Sequence, residues 1–172
     1  MKVLVAVKRV VDYNVKVRPK SDGTDVDLNN VKMAINPFCE IAVEEAVKIK
    51  EKSASEVIIL TVGSERSLEA LRTALAMGGD SAIHITDDSF ADMDSYALSK
   101  VIASKIKSIG DVDLILSGKK WIDEESGQVA IQIAEELGIP QAKVRKYIKY
   151  DRLPDLVKTE VDSNKINTNV AI

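Results

Sequence analysis

Ile35-Asn36-Pro37-Phe38-Cys39-Glu40-Ile41-Ala42-Val43-Glu44-Glu45-Ala46-Val47 decides the fold of this 172-residue chain. Asn36-Pro37 reads as a turn that leads into an amphipathic helix. From Phe38 to Lys52 the residues Ile41, Ala42, Ala46 and Ile49 recur at helical spacing, with acids early and lysines late, as the helix dipole favours. The start of such a helix presents backbone N–H groups without intrahelical partners, and those groups hold anions. Phe38 and Cys39 are placed at that start.

Working outward, Val3–Lys8 is an unbroken apolar run ending in cations, the pattern of a strand buried on both faces. Glu56–Gly63, Ala82–Thr86 and Asp113–Gly118 read as further strands. Ser64–Met77, Ser95–Ile109 and Gln128–Leu137 read as helices closed by Gly78-Gly79, Gly110 and Gly138-Ile139-Pro140. This alternation predicts an α/β fold with a mostly parallel, doubly wound, Rossmann-like sheet. Val15–Leu28 alternates around Asp22-Gly23 and predicts a β-hairpin inserted between the first strand and the Phe38 helix. Beyond Pro140 the pattern becomes β-rich, with Val144–Tyr150, Leu156–Asp162 and Asn164–Ile172 as strand candidates. The expected organisation is therefore residues 1–140 as the α/β body and 141–172 as an extension of the same domain.

Composition narrows the function. The charge is −3, distributed as 17 Lys and Arg against 23 Asp and Glu in residues 1–140 and 7 against 4 in residues 141–172. An acidic body with a modestly basic tail is not a nucleic-acid surface. A mean hydropathy of −0.03 and no apolar run of about 20 residues argue against a membrane span. The first ten residues lack the features of a secretory signal, so a cytoplasmic location is expected, or a mitochondrial matrix in a eukaryote. The single cysteine, Cys39, excludes an intrachain disulfide and a cysteine-rich metal site.

In a parallel α/β sheet, ligands bind beyond the carboxyl ends of the strands, here Ala6 to Arg9, Val62-Gly63 and Gly118-Lys119-Lys120. Neither glycine matches GxGxxG or the P-loop. Asp123-Glu124-Glu125 would suit a hard cation, but acids before a helix more often serve its N-terminus. Ser126 and Gln128 would hydrogen-bond a phosphate or ribose. His84 lies in the polar phase of a strand without a catalytic companion. A helix start would lower the Cys39 thiol pKa, yet no base stands near it in sequence. No acid–base or nucleophile constellation emerges, and Tyr13 and Phe38 read as ordinary core aromatics.

Val3–Tyr13 (VLVAVKRVVDY), Asn36–Lys52 (NPFCEIAVEEAVKIKEK), Arg72–Gly79 (RTALAMGG) and Asp113–Gln128 (DLILSGKKWIDEESGQ) together resemble consecutive blocks of the electron transfer flavoprotein beta subunit. The resemblance covers about residues 1–140. It implies an electron carrier with no substrate chemistry of its own, paired with an alpha subunit that holds a redox FAD, while beta buries a structural AMP. By the motif, Ala6, Asn36, Pro37, Phe38, Cys39, Val62, Gly63, Asp123, Ser126, Gly127, Gln128 and Val129 would enclose the AMP, and Tyr13 and Phe38 would face the partner's flavin. Gly127-Gln128-Val129 replaces the usual Asn-Gln-Thr and is more similar to electron-bifurcating members, which hold a second FAD at this site. Cys39, where those members tend to carry an acid, and the whole Asn36–Lys52 block favour AMP.

Family members continue past the region matched by Leu156–Ile172, which implies a fragment or short form lacking the loop that docks on flavin dehydrogenases and the arm that wraps alpha. From other classes, a universal-stress-type nucleotide sensor shares the architecture but usually carries a Gly-x-x-Gly run with a Gly-Ser pair, absent here. A Cys39 hydrolase lacks partners.

Overall fold

The computed structural model describes residues 1–90 and 93–140. Four strands form its central sheet. β1 (Lys2–Ala6) is followed by a short ribbon strand β2 (Arg9–Val11), a hairpin of β3 (Arg18–Pro19) and β4 (Val26–Asp27), and the second ribbon strand β5 (Met33–Ile35). Then come α1 (Pro37–Ser53), β6 (Glu56–Val62), α2 (Leu68–Ala76), β7 (Ser81–Ile85), α3 (Ser95–Ile109), β8 (Leu114–Ser117) and α4 (Val129–Glu136). The central sheet is parallel throughout, in the order β7-β6-β1-β8. Its register pairs Val3 with both Val57 and Leu114.

In chain order the sheet reads 3-2-1-4. The chain moves outward from β1 to β7 and then crosses back to the other side of β1. Strand order therefore reverses between β1 and β8, and that is where a doubly wound sheet opens a crevice.

Alternation along β1 sends side chains to two cores. Val3 and Val5 pack with Cys39, Val43, Ala46, Ile59 and Leu71 under α1 and α2. Leu4 packs with Leu60, Ile102, Ile106, Trp121, Val129 and Ile133 under α3 and α4. Burying an aliphatic side chain of this size is worth about 1.5–3 kcal/mol, so two filled faces account for the apolar runs being continuous rather than alternating.

The helix start forms as its sequence dictates. Pro37 occupies the first turn, and the Asn36 carbonyl accepts from the N–H groups of Cys39 (2.7 Å) and Glu40 (3.0 Å). The Asn36 side chain makes no cap bond and is directed elsewhere. On α1, Cys39, Ala42, Val43 and Ala46 form the buried stripe, and Ala54 ends the helix in a left-handed conformation. Asp94 caps α3 conventionally, accepting from Ala97 N–H at 2.7 Å.

The strands and helices expected within residues 1–140 form, with the Ser64–Met77 segment split into a 3₁₀ turn over Glu65–Ser67 and then α2. The hairpin is present but brief, pairing Arg18 with Asp27 and Pro19 with Val26 around Gly23. The antiparallel pairing of β2 with β5 was not anticipated by the sequence reading. It folds residues 12–32 into an arm projecting from the end of β1. Tyr13 sits on this arm at 75 % exposure, which corrects its reading as a core aromatic. The turn around it is pinned by buried Asp12, which accepts from the Asn14 N–H (2.9 Å) and pairs with Lys32 Nζ (2.6 Å). The expected strands Val144–Tyr150, Leu156–Asp162 and Asn164–Ile172 lie outside the described residues.

Candidate functional site

Three segments meet at the reversal between β1 and β8: the end of β1 with Lys8, the start of α1 at Asn36–Cys39, and the loop Gly118–Gln128 that leads into α4. The contact between the last two is as close as backbone allows. A Cβ placed on Gly118 would lie 3.0 Å from Cys39 N, Cys39 Sγ and the Phe38 carbonyl carbon. Gly118 therefore lets the start of α1 settle directly on the end of β8.

Asn36 ties the loop down. It is completely buried, its N–H donates to the Lys8 carbonyl (2.9 Å), and its Nδ2 donates to the Lys120 carbonyl at 2.9 Å and to Cys39 Sγ at 3.2 Å. Its Oδ1 is buried without a hydrogen-bond partner among the described residues. An orphaned acceptor costs about 1–3 kcal/mol, and it marks a position where a donor from a bound group would be welcome.

The loop closes on itself and on Lys8. Trp121 N–H donates to the Ser126 carbonyl (2.9 Å), and the buried Trp121 ring carries the Lys8 ammonium 4.0 Å from its centroid. Lys8 also pairs with Asp123 (3.0 Å) and Glu124 (2.6 Å), while Lys120 pairs with Glu125 and reaches to 5.8 Å from the Phe38 ring. The three acids, expected to serve the helix start, are thus divided between two lysines, and α4 begins only at Val129. Gln128 Oε1 accepts from Ser95 Oγ at 3.4 Å, linking the starts of α3 and α4.

The start of α1 meets the loop at Gly118 and Lys120, and the Asp123-Glu124 portion is joined to it through Lys8, next to the end of β1 where Ala6 lies buried; Val129 packs in the core on the other face of the sheet from Cys39. Val62 and Gly63 stand at the end of β6, one strand further on. There Gly63 N–H donates to the Ile85 carbonyl (3.0 Å), and His84 Nε2 lies 3.0 Å from the Gly63 carbonyl, which makes Nε2 the protonated nitrogen. His84 is occupied by this backbone bond.

Cys39 is 1 % exposed, and burial pushes its thiol pKa up, against smaller opposing effects from Asn36 and nearby backbone N–H groups. Desolvation outweighs the helix start that would lower it. A cavity of about 380 Å³ elsewhere, between Arg9, Arg66 and the Leu28–Val31 turn, contains none of the predicted site residues. Lys8 and Lys120 lie at the strand ends that the sequence marks for ligand binding, but their pairing with the three acids, and the place of Trp121 under Lys8, were not foreseen.

The parallel strand order and the helices on both faces define a doubly wound, Rossmann-like α/β domain with a cluster of polar residues at its switch point. Residues 25–170 match the family model described as electron transfer flavoprotein domain. The chain is 45% identical to "Electron transfer flavoprotein subunit beta, mitochondrial" of Arabidopsis thaliana, over 99% of this chain and 68% of that one. It is 44% identical to "Electron transfer flavoprotein subunit beta" of Bradyrhizobium diazoefficiens and 42% identical to the human protein of that name, each over 94% of this chain and 64% of the relative. The chain belongs to the electron transfer flavoprotein family, among its beta subunits. It spans about two thirds of the length of the curated relatives it matches. Those relatives include mitochondrial and bacterial proteins, and among the described residues no helix is long and apolar enough to cross a membrane.

Proposed function

We propose that this chain is the beta subunit of a heterodimeric electron transfer flavoprotein, carrying electrons rather than catalysing bond chemistry. Its crevice between β1 and β8 buries a structural AMP. The observation that carries this reading is the buried, unpartnered Asn36 Oδ1 beside the Gly118 contact, a polar cradle among tightly packed backbone. Asn36, Phe38, Cys39 and the Asp123–Val129 segment would hold the nucleotide, with Ala6, Val62 and Gly63 bounding it. The Asn36 Oδ1 accepts from an amino or hydroxyl group, and the N–H groups at the start of α4 suit a phosphate.

An FAD held mainly by an alpha subunit supplies the reversible one- and two-electron chemistry. The task of this chain is to shape that flavin's surroundings with Phe38, half-buried at the crevice, and Tyr13, exposed on the arm. Flavin dehydrogenases are the proposed donors, and the cytoplasm or mitochondrial matrix the setting. The test is reconstitution. The isolated chain should be nearly colourless and yield flavin absorbance only when mixed with an alpha subunit and FAD. Tight binding of one FAD by this chain alone would favour the second reading, a bifurcating-type member with FAD in place of AMP, for which Gly127-Gln128-Val129 speaks.

A further inference from the structure

Lys8 joins the start of α1 to the loop that leads into α4. Its carbonyl receives the Asn36 N–H, its ammonium lies against Asp123 and Glu124 at 3.0 and 2.6 Å, and the same ammonium caps the Trp121 ring at 4.0 Å. Its side chain is only 23% exposed, so these pairs are less screened than ordinary surface pairs. The segment Lys119–Gly127 carries three carboxylates against two lysines. Without Lys8 it would present net negative charge at the mouth of a crevice that, on the reading above, takes a phosphate-bearing ligand.

We propose that Lys8 is the positioning residue of the nucleotide crevice: through Asp123, Glu124 and the Trp121 ring it clamps the Lys119–Gly127 segment to the end of β1, and it cancels the carboxylate charge that would repel an anionic ligand. The proposal deepens the AMP reading and rests on it for its ligand. The clamp itself is a property of the free chain. Asn36 holds the loop by one backbone carbonyl and Trp121 by burial, but Lys8 alone binds the Asp123-Glu124 portion among the described residues.

The test has two arms. In the ligand-free full chain, Trp121 is the only tryptophan, so its emission reports the clamp directly. Lys8→Met should shift that emission to the red and raise the exchange rate of the Trp121 amide by about tenfold or more, and Lys8→Arg should restore both. With AMP as the probe, Lys8→Met should weaken binding by about tenfold, more at low salt than at high, while Lys8→Arg stays within about threefold of the unaltered chain. Adding Glu124→Gln to Lys8→Met should recover part of the lost affinity, which a purely structural role would not do. Unchanged emission and exchange in Lys8→Met, or AMP affinity within about twofold of the parent, overturns the proposal. An unaltered chain that takes up no AMP overturns the nucleotide reading instead, and the clamp is then judged on emission and exchange alone.

Discussion

Gly118 and Cys39 stand so close that the backbone of one fills the space a side chain would need on the other, with a Cβ on Gly118 falling 3.0 Å from both N and Sγ of Cys39. Two of the three contacts are backbone atoms at the start of α1, which cannot swing aside. Gly118→Ala should therefore destabilise the chain by about 1–3 kcal/mol, read as a lower midpoint in urea, and should weaken nucleotide retention as the start of α1 shifts. Wild-type stability in that variant would mean the helix start is free to move.

Cys39 has two expected behaviours. Cys39→Ser should keep electron transfer in a reconstituted heterodimer within about tenfold of the parent, because the thiol packs against Asn36 rather than acting as a nucleophile. A thousandfold loss with nucleotide retained would reinstate thiol chemistry. In the native chain the thiol should resist alkylation at neutral pH.

The pH dependence of Cys39 has a definite sign. Its folded pKa is raised, chiefly by burial, so above the unfolded value of about 8.5 the unfolded chain releases a proton that the folded chain retains. Stability should fall with rising pH in that range. Cys39→Ser should remove that slope, measured by urea denaturation from neutral to alkaline pH.

Asp12 behaves in the opposite sense. Lys32 foremost, then the Asn14 N–H, hold its carboxyl below the ordinary range. The stabilisation is complete above the unfolded pKa of about 3.9 and is lost as pH falls through the lowered folded value. Protection of the Asn14 amide, its exchange rate relative to an unstructured chain at the same pH, should be lost only in acid, below about pH 4, and Asp12→Asn should lack that protection at neutral pH. Loss of protection already at pH 6 in the parent would contradict this anchoring of the arm.

Ala54 closes α1 at φ 48°, ψ 49°, a conformation that costs a residue with a Cβ. Ala54→Gly should raise stability by about 0.5–1 kcal/mol, since glycine adopts this cap freely. A decrease on urea denaturation would show that Ala54's methyl makes a contact of greater value.

Much of this fold was readable from local pattern. Val3–Ala6 and Val57–Leu60 are apolar on both faces because both faces are covered, and the helical spacing of Ile41, Ala42, Ala46 and Ile49 marked the body of α1. The ribbon between β2 and β5 escaped because each strand is three residues long, too short for an alternating pattern to show. Tyr13 was misjudged because aromatic character alone does not tell core from arm. The segments Asn36–Cys39 and Asp123–Val129 were singled out by motif. What joins them was not: the Asn36 bond to Lys120 spans 84 residues and the Lys8 bond to Glu124 spans 116. Asp123, Glu124 and Glu125 looked like helix-start acids because the lysine that claims Asp123 and Glu124, Lys8, comes from the other end of the domain.

The central claim is that the crevice of this beta subunit holds an adenine nucleotide, and the most direct measurement is mass spectrometry and quantitation of what the purified chain releases on denaturation. The account predicts AMP, close to one per chain, and its loss when Gly118→Ala disturbs the α1 start. A folded chain that releases no nucleotide, and takes none up when AMP is supplied, would contradict it.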